Sequence, residues 1–253
     1  MHRIDLNCDM GESSPLFSYN IEKDIALMEY LSSVNLACGY HAGDAHTMHR
    51  LVESAIEKNI AIGAHPSFPD RENFGRTNMS VSSSELYDMI LYQLGALYAF
   101  VKVNGGHLHH VKPHGALYNM AAKDRTLADA ICKAIVDFDR NLILYGLSGS
   151  ELINAAKEAG LKAASEIFSD RTYQDDGSLT PRTMPSSLIE DEELALKQVL
   201  QMVKDGKVNV LSGKIISLEA ETICIHSDGK HALEFARKIH RMLIENGINI
   251  KTV

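Results

Sequence analysis

The sequence predicts an α/β barrel, and three observations carry that expectation. Segments with strand character alternate with amphipathic helical segments to give seven core strands. At least five of those strands run out into polar or ionisable residues, and 253 residues is a length at which parallel barrels close as one unit. The alternation implies parallel pairing with right-handed crossovers. An open doubly wound sheet fits the same alternation, but it does not require its strands to end in polar groups, whereas a barrel collects functional residues at its C-terminal mouth. The sequence contains neither an internal repeat nor a linker, so residues 1–253 are expected to form one domain.

In the first strand, Asp5-Leu6-Asn7-Cys8-Asp9-Met10, alternation puts Asp5, Asn7 and Asp9 on one face and Leu6, Cys8 and Met10 on the other. The apolar set belongs under covering helices. The carboxylates then face the inside, where an unpaired charge must be compensated. At about 3.3 Å per residue Asp5 and Asp9 stand about 13 Å apart, so one reacting centre uses one of them, and the turn at Gly11 favours Asp9.

A short helix over Asp24 to Ser33 carries Ile25, Leu27, Met28 and Leu31 as its stripe. The second strand, Val34 to Cys38, leads through His41 to Asp44, an N-cap for a helix reaching Lys58. Strand three, Ile60 to Ala64, precedes His65-Pro66 and a loop dense in polar and aromatic residues. The helix from Ser83 to Val103 spaces Leu86, Ile90, Leu94, Leu97 and Val101 at helical intervals, and strand four, His107 to Lys112, ends in Pro113-His114. A helix over Thr126 to Asp137, strand five at Leu142 to Tyr145, a helix over Ser148 to Ala159 and strand six at Ala163 to Phe168 follow. Then come a helix from Ile189 to Lys204, a hairpin over Val208 to Glu219 closed at Ser212-Gly213, and strand seven at Thr222 to Ile225. A final helix, His231 to Asn246, precedes a short last strand, Ile248 to Val253.

An apolar fraction of 45% with 23% charged residues describes an ordinary globule, and no apolar run approaches the roughly 18 residues that span a bilayer. The N-terminus enters a strand without a basic-then-apolar leader, which predicts a cytoplasmic protein. Cys8, Cys38, Cys132 and Cys224 are scattered, so buried reduced thiols are expected rather than a zinc knuckle or a disulfide framework. A net charge of -8 without a basic cluster argues against nucleic acid or an anionic membrane as partner.

Ionisable groups stand at nearly every strand exit: Asp9, His41 and Asp44, His65, Lys112 and His114, Glu166 with Asp170 and Arg171, and His226 with Asp228. Singly these have bland explanations, Asp44 as a helix cap among them. Jointly they must be arranged around one another to be tolerated, which marks a site. His46, His49, His231 and His240 are assigned to solvated helix faces, and His107, His109 and His110 to a local cluster without a metal role. No phosphate-binding Gly-x-x-x-x-Gly-Lys loop and no nucleophile elbow occurs, which leaves phosphate to helix N-termini and to Lys112, Arg71, Arg76 or Arg171.

The blocks Asp5-Leu-Asn-Cys-Asp-Met-Gly-Glu12, Asn35-Leu-Ala-Cys-Gly-Tyr-His-Ala-Gly-Asp44, Ile62-Gly-Ala-His-Pro-Ser-Phe-Pro-Asp-Arg71 and Val111-Lys-Pro-His-Gly-Ala-Leu-Tyr-Asn119 resemble the LamB/YcsF family. So do Glu166-Ile-Phe-Ser-Asp-Arg171, Gly177-Ser-Leu-Thr-Pro-Arg182 and Ile225-His-Ser-Asp-Gly229, across essentially the whole chain. The resemblance implies the seven-stranded (β/α) barrel of the glycoside hydrolase and deacetylase superfamily. It also implies a 5-oxoprolinase activity that opens the lactam of 5-oxo-L-proline to L-glutamate, with ATP, accompanied by magnesium, as co-substrate and two further subunits, B and C, as partners. On that basis Asp9, His41, His65 and His114 are expected to be catalytic, and Asp5, Asn7, Asp44, Lys112, Glu166, Arg171, His226 and Asp228 to bind substrate. Deacetylases of the superfamily carry paired aspartates after strand one where this chain has Asp9-Met10. A protein-bound transition metal is therefore left open, with His41, His65 and His114 supplying three nitrogens if they converge. Two alternatives stand beside this reading: a metal-dependent amide or carbohydrate deacetylase, and a non-catalytic subunit that presents substrate to its partners.

Overall fold

The computed structural model describes residues 2–14, 16, 19–226 and 231–253. Seven parallel strands close into a barrel: β1 (Arg3–Met10), β2 (Ser33–Ala37), β3 (Ala61–His65), β4 (Leu108–Val111), β5 (Ile143–Leu147), β6 (Lys162–Phe168) and, after a hairpin of β7 (Lys207–Asn209) and β8 (Ile215–Ser217), β9 (Thr222–His226). Closure falls on β1, which sets Asp9 opposite Asn35 of β2 on one side and opposite His226 of β9 on the other. The last strand, β10 (Asn249–Ile250), is shorter than expected and pairs only with the start of β1, at Arg3 and Ile4.

Helices cover the outside: α1 (Ile21–Leu27), α2 (Ala45–Glu57), α3 (Ser83–Val103), α4 (Gly115–Ala121), α5 (Arg125–Asp139), α6 (Glu151–Glu158), α7 (Glu192–Asp205) and α8 (Ala232–Glu245). Their apolar stripes pack on the outward strand residues. Leu86, Ile90, Leu94, Leu97 and Val101 of α3 thus join Leu6, Met10, Leu36, Ile62 and Val111 in one buried cluster. The starts are those the sequence predicts where a cap is present: the Asp44 carboxylate accepts from Thr47 N, and Ser82 with Glu85 forms a reciprocal capping box.

Two helices also differ from expectation. The first helix starts earlier, at an Asn20 cap, and ends in a tighter turn over Met28–Tyr30, because Asp24 is buried and accepts from Gly11 N at 2.8 Å and Tyr19 Oη at 2.9 Å. Helix α4 was not expected at all. It follows His114 directly, opening on Gly115 at φ 55°, and buries Ala116, Leu117, Tyr118 and Ala121. All four cysteines are free and buried, and no helix among the described residues is long and apolar enough to cross a membrane.

The barrel interior is polar instead of the layered aliphatic packing common in such barrels. Below the polar groups a small cluster of Ile143, Tyr145 and Ala164, with Val253 against it, fills the N-terminal end. At mid-height Gly63 makes room for a ring: a Cβ there would stand 2.1 Å from His110 Nε2, and His110 is held by stacking on Tyr145 (centroids 4.0 Å apart) and by Asn35. Gly63→Ala is therefore expected to destabilise the fold by about 1–3 kcal/mol through overpacking. Urea unfolding checks this, and an unchanged midpoint would show that the ring can move aside.

Candidate active site

The interior is built upward from Asp5. Its carboxylate accepts from Ser32 Oγ at 2.6 Å, Ser33 Oγ at 2.8 and 2.9 Å, and Thr222 Oγ1 at 2.6 Å. Asn7 Nδ2 donates to Thr222 Oγ1 at 2.6 Å and Glu166 Oε1 at 2.9 Å, while Asn7 Oδ1 accepts from Asn35 Nδ2 at 2.7 Å. Asn35 also donates to Asp9 Oδ1 at 2.7 Å and accepts from His110 Nε2 at 2.7 Å. Lys112 Nζ then joins three groups: Asp9 Oδ1 at 2.8 Å, Glu166 Oε1 at 2.9 Å and Cys224 Sγ at 3.0 Å. Tyr118 Oη closes the last Glu166 oxygen at 2.8 Å.

Burial alone would discharge the Lys112 amine, but Asp9, with Cys224 and Glu166, holds its pKa well above the ordinary lysine value. Burial would likewise raise the Asp9 carboxyl, and the adjacent His65 and Lys112 keep it well below the usual range. The two are an ion pair at the floor of a cavity of about 1030 Å³ lined by Asp9, Glu12, His65, Lys112, His114, Tyr118, Arg171 and His226, with Arg76, Lys123 and Arg182 towards its mouth.

Four groups converge on one wall. Glu12 Oε1 lies 3.1 Å from His41 Nε2, 3.2 Å from His114 Nδ1 and 3.8 Å from His65 Nε2, and the last two nitrogens are 3.0 Å apart. The rings of His41 and His114 stack 3.7 Å apart at 7°. Burial pushes His41 down to about 3 and also lowers His114, so both rings are neutral at physiological pH. The loop after β3 enforces the stacking: Phe74 adopts a left-handed φ of 57°, and a Cβ on Gly75 (φ 65°) would meet His41 Cβ at 2.8 Å and His114 Cδ2 at 2.9 Å. Arg71 fixes that loop, donating to the carbonyls of Gly39 at 3.2 Å, Gly43 at 2.8 Å and Ser13 at 3.3 Å.

On the opposite wall His226 Nδ1 lies 3.0 Å from both carboxylate oxygens of Asp170, and Arg182 Nη2 lies 3.3 Å from His226 Nε2. Burial alone would lower the His226 pKa, but Asp170 raises it above the ordinary histidine value. One ring nitrogen of His226, Cys224 Sγ and an Asp9 oxygen lie within 4.8 Å of one another.

Of the residues singled out in the sequence, Asp9, His65, Lys112, His114, Arg171 and His226 line the cavity. His41 stands behind His114, fully buried. Asn7 and Glu166 lie beneath the floor and act through Lys112 and Asp9. Asp5 and Asp44, expected to bind substrate, are not among the residues that line the cavity. Asp5 is saturated by hydroxyls near the base of the barrel, and Asp44 is spent on Thr47 and Ser13 at its helix cap. Arg71, a candidate phosphate holder, serves loop carbonyls instead, and Arg171 donates to Ser187 O and Thr180 O while one side still faces the cavity. Asp228 lies outside the described residues. The histidine cluster on strand four is divided, since His110 is an interior residue bonded to Asn35. Glu12, Tyr118 and Arg182 were missed.

A closed parallel barrel with a carboxylate, an ammonium and histidines gathered at its C-terminal mouth defines a hydrolase-type (β/α)7 barrel. The chain belongs to the LamB/YcsF family, whose model matches residues 4–253. A protein of Tolumonas auensis, named as the A subunit of 5-oxoprolinase, is 54% identical over 253 residues, covering 100% of both chains. A solved lactam utilization protein from Thermus thermophilus is 43% identical at a TM-score of 0.90, over 99% of this chain and 100% of that one. The catalytic domain of a peptidoglycan N-acetylglucosamine deacetylase from Eubacterium rectale, 12% identical at a TM-score of 0.50 over 99% of this chain and 87% of its own, shares the fold alone.

The buried ion triad gives a stability test. Lys112→Met leaves Asp9 and Glu166 together without their shared cation, for an expected loss of about 3–5 kcal/mol. Adding Glu166→Gln should recover part of that loss. A double-mutant cycle in urea that came out additive would show that Lys112 and Glu166 are not coupled.

Proposed function

We propose that this chain is the A subunit of a cytoplasmic, ATP-dependent 5-oxoprolinase, opening the lactam of 5-oxo-L-proline to L-glutamate together with subunits B and C. Whole-length similarity to proteins bearing that name supports the reading. The observation that carries it within the site is the pairing of an ionised Asp9 on the cavity floor with a proton-carrying Asp170–His226 dyad on its wall. A five-membered lactam is an unreactive amide, and transfer of the terminal phosphoryl group of ATP to its oxygen would make the carbon electrophilic. The cavity volume of about 1030 Å³ exceeds what the lactam needs, and Arg76, Lys123, Arg171 and Arg182 offer cations for its carboxylate and for phosphate.

The roles divide by basicity. Asp9, held far below neutrality, is a weak base and serves to orient a water and stabilise positive charge near it. His226 donates Nδ1–H to Asp170 and turns Nε2 towards Arg182 at the cavity edge, with a pKa raised above the ordinary histidine value by Asp170, so once Arg182 turns to substrate it is the better group to take a proton from the attacking water. That proton then returns to the ring nitrogen as the C–N bond breaks, which leaves the phosphoryl group on the new side-chain carboxyl, and a second water hydrolyses this acyl phosphate to give glutamate and inorganic phosphate.

Two experiments test this. The purified chain with 5-oxoproline and ATP is expected to release no appreciable glutamate, and adding both partner subunits should restore ATP-dependent glutamate formation. Robust turnover by the isolated chain would remove the partner requirement, and a complex that hydrolyses acetyl amides but not 5-oxoproline would favour a deacetylase. In the complex, base catalysis by His226 requires its neutral form, so kcat rises as pH climbs through the His226 pKa. Asp170→Asn removes the group that raises this pKa and should shift the acid limb of the profile to lower pH, with a reduced plateau. An unmoved acid limb would exclude His226 as the titrating base.

A further inference from the structure

The Glu12 cluster has an arrangement of donors and acceptors that a catalytic proton carrier does not need. Each of its three histidines has its outward nitrogen bonded to an acceptor. His65 Nδ1 faces Lys112 O at 2.7 Å, and His114 Nε2 faces Phe74 O at 2.9 Å. His41 Nδ1 faces Ser67 Oγ at 2.9 Å, and that hydroxyl has its own proton directed at Phe68 O at 2.9 Å. A carbonyl or a committed hydroxyl can only accept, so all three outward nitrogens carry the hydrogen. With a hydrogen fixed on each outward nitrogen, the inward nitrogens, His41 Nε2, His65 Nε2 and His114 Nδ1, are the positions that offer lone pairs to a ligand.

Those nitrogens gather around one carboxylate oxygen. His65 Nε2 and His114 Nδ1 are 3.0 Å apart, and each of the three faces Glu12 Oε1 at 3.1 to 3.8 Å. Acceptors buried this closely repel unless something positive lies among them. The spacing also suits a particular occupant: four ligand atoms in a tetrahedron about 2.0–2.1 Å from a zinc-class ion lie about 3.3 Å from each other. All four donors here are within 4.8 Å of one another, and the three imidazoles are 0%, 1% and 6% exposed. Each ring is oriented from behind, the arrangement that fixes the tautomer of metal-ligating histidines.

We propose that Glu12, His41, His65 and His114 bind one divalent transition-metal cation of the zinc class through three imidazole nitrogens and a carboxylate oxygen. The donor set fits such an ion better than magnesium or calcium, which take oxygen ligands. When bound, the cation supplies a Lewis-acid centre on the cavity wall beside Asp9. The inference is independent of the reaction assigned above, because its test reads metal, not turnover.

The full chain, purified without chelator or histidine tag, is expected to contain zinc, nickel, cobalt or manganese in stoichiometric amount by elemental analysis. After chelation, cobalt(II) should bind in an equimolar titration and give the intense visible absorption of a four-coordinate site. Glu12→Gln and His41→Gln should abolish that absorption, and His226→Gln, in the neighbouring Asp9, Cys224 and His226 group, should retain it. Ser67→Ala, which touches no metal but frees the His41 ring, should weaken cobalt binding about 10–100-fold. If a variant fails to fold, the chelated parent chain still decides the matter. Absence of cobalt binding by that chain would overturn the proposal in favour of a proton shared among the rings. Cobalt binding that is lost in His226→Gln but kept in His41→Gln would place the ion in the other group.

Discussion

The Lys112 ammonium is the interaction on which the rest of the interior depends. A barrel of this size must fill its centre, and this one does so with carboxylates and amides rather than with branched aliphatic side chains. Such a centre holds together only if charge is balanced where water cannot reach. Lys112 sits within 3.0 Å of Asp9, Glu166 and Cys224, which come from three different strands, so a single cation fixes the relative heights of β1, β6 and β9 as well as their charge. The amides of Asn7 and Asn35 extend this balance, because each has a donor and an acceptor and can link acids that would otherwise meet directly.

A second constraint acts from above. The histidines of the Glu12 group come from the ends of β2, β3 and β4, and nothing in the strands themselves would stack His41 on His114. The loop after β3 does so. Phe74 in a left-handed conformation directs its carbonyl to His114, Gly75 leaves room for both rings, and Arg71 ties the loop to the backbone following β1 and β2. Backbone strain of this kind persists only where its surroundings hold it in place, and here they do so with Arg71, one of several cations the sequence offered for phosphate. Its three carbonyl acceptors lie on loops remote in sequence, and no local pattern announces them.

The barrel itself was legible because strand exits are punctuated by ionisable residues, a pattern that survives without any knowledge of packing. The alternation rule also carried more than was drawn from it. Lys112 faces inward, so His110, two residues earlier on the same strand, must face inward too, and Gly63 opposite it is the complementary signal. Alternation does set His110 on the face opposite His107 and His109, but without its partners Asn35 and Tyr145 in view nothing distinguished it from a surface histidine. Glu12 was harder to find. It stands past the Gly11 turn, where the two-residue period no longer applies, and its partners lie on three later strands. Helix α4 was hidden by its glycine start, and with it Tyr118, whose hydroxyl reaches Glu166.

The two halves of the interior differ in one physical respect that bears on function. In the lower half, the acids have matching donors: hydroxyls for Asp5, and an amide, an ammonium and a phenol for Glu166. Groups satisfied by one another in this way are rigid and have nothing to offer a ligand. At the mouth the balance changes. The inward nitrogens of the three histidines lie 3.1 to 3.8 Å from Glu12 Oε1, and Asp9 Oδ2 lies 3.4 Å from His65 Nε2. A cation bound there, as proposed above, would balance the charge of Glu12 and lie between the three rings. Beside that wall His65 and Lys112 keep Asp9 ionised but weakly basic, whereas at the end of β9 a single carboxylate, Asp170, faces a single imidazole, His226.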